Sequence, residues 1–437
     1  MNFKPLFEKA EAIGFEAIQI KYSESKSINL EVFKGDLDKH EISDSKALVL
    51  EGIYKDKMGK LSTENIDESK FSDWIVSLKA SAEAVESEDP VVIYEGDEAY
   101  QEVEGVYSEA LETLSVEAKK KMVFELEERV RNADQRIDIS EAFYSESSGY
   151  ELLENSKGLR LEKRINHAVL GAHVVAKSVD DSRSAFDYIQ SNQPQDFDTD
   201  ELVKNVVNRG ISMLGAQAIE SGKYDVIIEN RASANLLGAF LSMFKAENVQ
   251  KGLSKLNGKL NESIADSSVS LVEDPFMEKS PKSTGFDGEG VATHSKNIID
   301  NGTLKTYLHN LKTAKKENVE STGNGFNGGI APTNLFIKPG NKTLEFMLKD
   351  MDQGLFITSL QGLHSGTSAI SGDFSLQASG YVVKDGKLDK PVSLITLSSN
   401  YLELLNSVDT IGSDLKFTFS YLGSPSISFN AISVSGK

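Results

Sequence analysis

Residues 371–392 read SGDFSLQASGYVVKDGKLDKPV. Asp385-Gly386 divides two runs of β-forming residues, and both positions of such a pair accept the positive φ needed at the centre of a type I′ turn. The stretch therefore predicts an antiparallel hairpin. Asn301-Gly302 carries the same signal upstream, and Pro339-Gly340 marks a further turn. From about residue 260 onward the chain reads as β-rich. Ahead of that region the pattern changes: 199–218 has helical spacing with Leu202, Val206, Leu214 and Ala218 inward, Tyr224 to Ile228 is a buried-strand run, and 232–245 is a helix apolar over much of its surface.

The N-terminal part alternates helices and strands. Phe3, Leu6, Phe7, Ala10 and Ile13 share a helical face that Gly14 terminates. Ile18, Ile20 and Tyr22 alternate, as do Ile28, Leu30 and Val32, which predicts two strands; 47–54 predicts a third, with a turn at Asp56 to Gly59. Phe71, Trp74, Ile75, Leu78, Ala82 and Val85 form a second helical stripe, ended by Asp89-Pro90. A third helix spans about 116–133 with Ser115 as its N-cap. Residues 137–190 read as strands with turns near 147–149, 156–158 and 180–182, and the polar stretch Ser191 to Asp200 reads as the connection between domains. The fold class expected is α+β: an N-terminal mixed α/β domain with an antiparallel sheet over 1–195, then a β-rich, barrel-like C-terminal domain with a few helices over 196–437.

Composition excludes several functions. Of 437 residues, 47 are Lys or Arg and 67 are Asp or Glu, a formal net charge of −20. Such a chain repels phosphate backbones, so direct nucleic-acid binding is not expected. The short clusters Lys312, Lys315, Lys316 and Lys119 to Lys121 read as solvated faces. Leu236 to Phe244 is far too short to cross a bilayer, and the N-terminus lacks an uninterrupted apolar segment, so neither membrane insertion nor a signal peptide is expected. Cysteine is absent, which removes disulfides, thiolate nucleophiles and cysteine zinc ligands. A cytoplasmic location fits this composition.

The usual catalytic patterns fail one by one. The only His-Glu dipeptide is His40-Glu41, where HExxH meets Asp44 and HExxxH meets Ser45 in place of the second histidine. His167 and His173 are six apart and share a strand face, while His294 and His309 flank the Asn301-Gly302 turn; each pair reads more simply as ordinary imidazoles than as metal ligands. No P-loop and no GxSxG elbow is present. The glycine-rich run STGNGFNGG at 321–329 reads as a flexible loop, or as a flap beside a cleft.

Two stretches carry a family resemblance. In 284–307, Asp287, Glu289, Gly290, Thr293, Ile298, Asn301, Gly302 and Tyr307 stand in the order of a D-x-E-G turn, a Thr, an Ile-rich strand, an N-G hairpin and a Tyr. In 371–392, Gly372, Asp373, Phe374, Ser375, Ala378, Gly380, Gly386, Pro391 and Val392 follow a G-D-[FY]-S, A-x-G, x-G-x, Pro-Val pattern, and Ile411-Gly412-Ser413-Asp414 extends it. Together they resemble the PmbA/TldE branch of the TldD/PmbA family of "modulator of DNA gyrase" metallopeptidases, mainly over 220–437. One departure is Ser399-Asn400, where Gly-Asn is the family's pattern.

The resemblance implies a TldD–TldE-type heterodimer enclosing a cavity and acting on extended or unfolded peptides, including leader segments. It implies zinc in the TldD-like partner, held by HExxxH and a later cysteine. The corresponding helix here, ASANLLGAFLSMFK at 232–245, has neither His nor Glu. No catalytic or metal residue is therefore assigned to this chain, and no cofactor is expected in it. Ser371, Gly372, Asp373, Phe374 and Ser375 are the candidates for a peptide cleft, with Asp373 accepting amide hydrogens; the alternative for the same residues is a tight turn capped by Asp373. A stand-alone homodimeric peptide-binding scaffold, or a hydrolase with an unrecognised site, remain the alternative functions.

Overall fold

A computed structural model describes residues 2–437. Its first half is organised by one antiparallel sheet of β1 (Ala17–Phe33), β2 (Asp36–Tyr54), β3 (Lys57–Thr63), β4 (Ile137–Asn155), β5 (Arg160–Lys177) and β6 (Ser182–Ser191). The strand order is β3-β2-β1-β4-β5-β6. β1 is one strand where the alternation predicts two, because Ser23 to Ser27 stay in register with β2 on one side and β4 on the other. The turn expected at 147–149 is likewise absent: Ser147 pairs with Ser27 and with His167. Serine and glycine read as turn formers, but a strand flanked on both sides satisfies their backbone groups, and their small side chains add no conflict.

Two helices cover one face of this sheet. Val116–Ala133 begins as expected, with the Ser115 hydroxyl accepting from the Ala118 N–H at 3.2 Å. Thr199–Ser212 lies beside it, and Leu202, Val206 and Val207 join Val123, Leu126, Val130, Tyr144 and Leu170 in one buried cluster. The expected division at 195/196 thus falls just ahead of a helix that packs in this first core. A second cluster buries Leu6 of helix Lys4–Ala12 and Trp74, Ile75 and Leu78 of helix Phe71–Glu83 against Ile18, Ile20, Leu48 and Leu50. Each such aliphatic side chain stabilises the fold by roughly 1.5–3 kcal/mol on burial.

The second half is built on a closed five-stranded barrel. Strands Lys387–Asn400, Asp373–Lys384, Gly354–Gln361, Gly222–Ile228 and Ile427–Ser435 are neighbours in that order, and Ile427–Ser435 pairs back onto Lys387–Asn400. Asp385 and Gly386 have φ of 53° and 69°, as the type I′ reading requires. Asn301 and Gly302, at 46° and 79°, close the second expected hairpin, between Lys296–Asp300 and Thr303–Leu304. Val226, Ile228, Leu355, Ile357, Leu376, Leu397 and Phe429 fill the interior. Their alternates Ile227, Phe356 and Val383 point outward under helix Leu344–Met351. A further six-stranded sheet of short strands and helix Asn230–Phe240 pack against the barrel. The mixed α+β class and the barrel are as the sequence predicts. Among the described residues no helix is long and apolar enough to cross a membrane.

Candidate functional site

A cleft of about 810 Å³ opens where the first sheet meets the barrel. Its walls come from β6, helix Thr199–Ser212, the start of helix Asn230–Phe240, strand Gly354–Gln361 and the turn at 418–420. Glu229 anchors the junction. Its N–H donates to the Ile357 carbonyl at 2.8 Å, which ties the helix start to the barrel. Its carboxylate accepts from both terminal nitrogens of Arg209, at 2.6 and 3.2 Å. Burial works against the Arg209 charge, but the adjacent Glu229 carboxylate outweighs it and holds the guanidinium above its ordinary pKa.

Arg231 forms the second anchor. It donates to Asp187, which is 3% exposed, and to the Tyr188 carbonyl at 3.4 Å. Its guanidinium lies over the Tyr188 ring, 4.6 Å from the centroid. The Arg231 Nε is buried without a partner. Tyr188 in turn stacks on Phe419 at 3.7 Å. Both arginines of the cleft are thus matched by carboxylates, and most other lining groups are neutral donors and acceptors: Asn205, Asn208, Asn235, Thr358, Gln361 and Tyr381 among them. Such a surface suits main-chain amides better than a charged ligand. The Ser212 hydroxyl, which donates to the Asn208 carbonyl at 2.6 Å and meets the Tyr381 hydroxyl at 2.5 Å, is a helix-terminal serine bonded to its own helix.

Two unpaired strand edges face this cleft. β6 ends its sheet and pairs only with β5. The Tyr188 N–H donates to Asp187 Oδ1 at 2.8 Å and its carbonyl accepts from Arg231, so its main chain faces away from β5. Period-two alternation turns the main chain of Phe186 and Ser184 the same way, and both residues line the cleft. On the opposite wall, Gly354–Gln361 pairs with Gly222–Ile228 only as far as Ile357. Beyond it, Thr358 to Gln361 have the hairpin strand Asp373–Lys384 on one side and the cleft on the other.

The five residues singled out from the sequence are not on these walls. Ser371 to Ser375 lie past Gln377, at the far end of the hairpin. Gly372 has φ 84°, its N–H donates to the Ser368 carbonyl, and Asp373 accepts from the Asn400 amide at 2.9 Å. That bond, with the one to Ser371, holds the exposed Asp373 carboxyl below its ordinary pKa. Phe374 is 5% exposed and packs edge-on to Phe240, so it is core. Local geometry makes this segment a self-bonded turn, and it does not line this cleft. Ser399-Asn400, the departure noted above, keeps the asparagine that caps it.

Other sequence candidates resolve in the same way. His40-Glu41 lies within strand β2. His167 and His173 both sit on β5, where six residues span about 20 Å, so one ion cannot bind both. The glycine-rich run is anchored rather than free: Asn324, fully buried, donates to Glu273, and the Gly325 N–H donates to Asp287. The helix expected at 232–245 begins at Asn230 and tightens to a 3₁₀ turn at Leu241–Phe244, which brings Glu229 and Arg231 to the cleft. Starting the helix too late is why both were missed. Neither this helix nor its 3₁₀ extension has a His, Glu or Cys, and among the described residues no group of three or more His, Cys, Asp or Glu is placed to hold a metal ion. The donors a protease zinc needs are not assembled here.

Comparison with known proteins adds the family context. The PmbA/TldA metallopeptidase central domain matches residues 109–214, and the PmbA/TldA metallopeptidase C-terminal domain matches 221–436. A metalloprotease PmbA homolog from Buchnera aphidicola subsp. Acyrthosiphon pisum is 30% identical, over 69% of this chain and 67% of its own. The crystal structure of a candidate modulator of a DNA gyrase from Thermotoga maritima MSB8 aligns with a TM-score of 0.93 at 35% identity, over 99% of this chain and 98% of that one. TldE from Thermococcus kodakarensis aligns with a TM-score of 0.91 over 99% and 100%; at 21% identity this is a likeness of fold.

Proposed function

Since the chain belongs to the PmbA/TldD family, we propose that it is a non-catalytic, TldE-like subunit of a two-chain metalloprotease whose cleft between sheet and barrel receives extended polypeptide. The single observation that carries the peptide reading is the pair of free strand edges at Ser184–Phe186 and Thr358–Gln361 on facing walls. An extended chain laid there gains main-chain hydrogen bonds irrespective of its sequence, as an unfolded substrate requires. A folded domain, whose backbone groups are already paired, gains nothing from such edges.

The scissile chemistry belongs to the partner in this proposal. Zinc lowers the pKa of a bound water and polarises the carbonyl, and among the described residues of this chain no ligand set is assembled to hold it. A TldD-like partner bearing HExxxH would supply the metal, while this chain completes the chamber and aligns the substrate. The net charge of −20 argues against direct DNA contact, and the cytoplasm is the proposed location.

The test is to purify this chain, an HExxxH-bearing TldD-like protein from the same cell, and their mixture. Each is assayed for casein cleavage and for zinc. We expect stable association, cleavage by the mixture alone, and zinc only in the partner. Stoichiometric zinc in this chain, or cleavage by it alone, would sink the proposal in favour of a hydrolase with its own site. Peptide binding by a self-associated chain that ignores the partner would favour a homodimeric scaffold.

A further inference from the structure

The aromatic residues at the cleft mouth are not needed to bind a peptide backbone. Phe186 and Phe419 are 40% and 44% exposed, although their rings are in contact with each other and with Tyr188. Phe143 stacks beneath Phe186 at 5.8 Å with an interplanar angle of 5°, and Tyr188 lies under Phe419 at 3.7 Å. The turn bearing Phe419 is pinned to the first sheet, since Gln190 donates to the Thr418 carbonyl at 3.3 Å, and Tyr421 at the turn's end takes φ 58°. Two fixed rings are therefore held apart from water on one side only.

Resting on the peptide reading above, we infer that Phe186 and Phe419 form a subsite for one large apolar side chain of the bound peptide. The geometry is set by the edge itself. Phe186 presents its main chain to the cleft, so an added strand places one residue directly opposite it. That residue's side chain emerges on the same face, with Cβ atoms about 4.5–5.5 Å apart. On this face lie the rings of Phe186 and Phe419. Two residues along the strand in one direction the face carries Ser184, and in the other the Tyr188 ring is covered by Phe419 and its main chain is already bonded to Asp187 and Arg231, so selectivity belongs to the position opposite Phe186. The neighbouring peptide side chains point to the other face and are not read. The substrate class is thereby narrowed to extended segments carrying an aliphatic or aromatic residue, the kind that a folded protein buries.

The experiment uses the full chain and fluorescently labelled eight-residue polar peptides that differ only at a central Phe, Ala or Asp. Affinities are read by anisotropy for the wild type, Phe419→Ser and Phe419→Leu. We expect the wild type to prefer Phe over Ala by on the order of tenfold. The preference should fall toward unity in Phe419→Ser and return largely in Phe419→Leu. Equal affinities of the wild type for the Phe and Ala peptides overturn the subsite alone. So does a Phe419→Ser variant that binds both more weakly at an unchanged ratio, which would mark the ring as structural. Failure of all three peptides to bind overturns the peptide reading and the subsite with it.

Discussion

At the scale of single residues, the buried Asp287 and the partly buried Glu289 form a carboxyl pair whose ionisation bears on stability. Asp287 accepts from the N–H groups of Glu289, Val291 and Gly325, and Glu289 accepts from Leu311 N–H at 2.8 Å. Burial pushes Asp287 up to about 6 and Glu289 up to about 7, the latter also feeling Asp287, while the Leu311 N–H acts in the opposite sense. A carboxyl whose folded pKa is raised contributes stability that is fully present below its unfolded pKa and is lost as pH rises through the folded value. Glu289→Gln keeps an acceptor for Leu311 and never charges. Relative to wild type it should gain on the order of 2 kcal/mol between pH 5 and pH 8, measured by urea denaturation at both. At the hairpin end, Gly372→Val forces a branched side chain into φ 84° and 3.0 Å from the Asn400 amide, costing about 1–3 kcal/mol. Asp373→Ala should leave partner-dependent cleavage unchanged; a large loss would return that turn to the peptide path.

At the scale of elements, hairpin geometry and barrel closure are different problems. Asp385-Gly386 specifies its turn from two residues. The strand leading to it must also cross its neighbour closely: a Cβ at Gly380 would lie 1.9 Å from the Phe356 carbonyl oxygen and 2.8 Å from Ile357 Cα. Backbone atoms on a central barrel strand cannot give way cheaply, so Gly380→Val should cost more than about 3 kcal/mol. Loss of soluble, cooperatively melting protein is the expected readout, and near-wild-type melting would show that the barrel tolerates strand separation there. The helix faces were legible for the same local reason. Trp74, Ile75 and Leu78 recur at helical spacing, and all three are buried. β1 was less legible, because its polar middle is stabilised by two neighbours that the local pattern does not contain.

At the scale of the whole molecule, the two halves are joined across the cleft by charge and aromatic contacts. Arg231 belongs to the helix packed on the barrel and Asp187 to the first sheet. Removing one partner of a buried pair leaves the other charge without compensation. Arg231→Ala should therefore destabilise by about 3 kcal/mol in chemical denaturation. Replacing both, as Arg231→Met with Asp187→Leu, should recover most of that loss. If the single variant costs nothing, the pair does not join the halves. The same contacts position the facing strand edges, so a shift between the halves should weaken peptide binding before the protein unfolds.

The sequence by itself determined the α+β class, the two glycine hairpins, the amphipathic helices and the absence of both cysteine and an HExxxH helix, because each depends on residue identity over a few positions. It also carried the motifs of 284–307 and 371–392 by which the family is recognised. Only the tertiary structure decided the cleft. Phe186, Arg209, Glu229, Arg231, Thr358 and Phe419 stand up to 233 positions apart and meet because β6 ends its sheet with one edge free, the barrel closes through Ile427–Ser435, and strand Gly354–Gln361 outruns its parallel partner. Free edges of this kind are set by which strands end where, and local propensity carries no record of a neighbour that is missing.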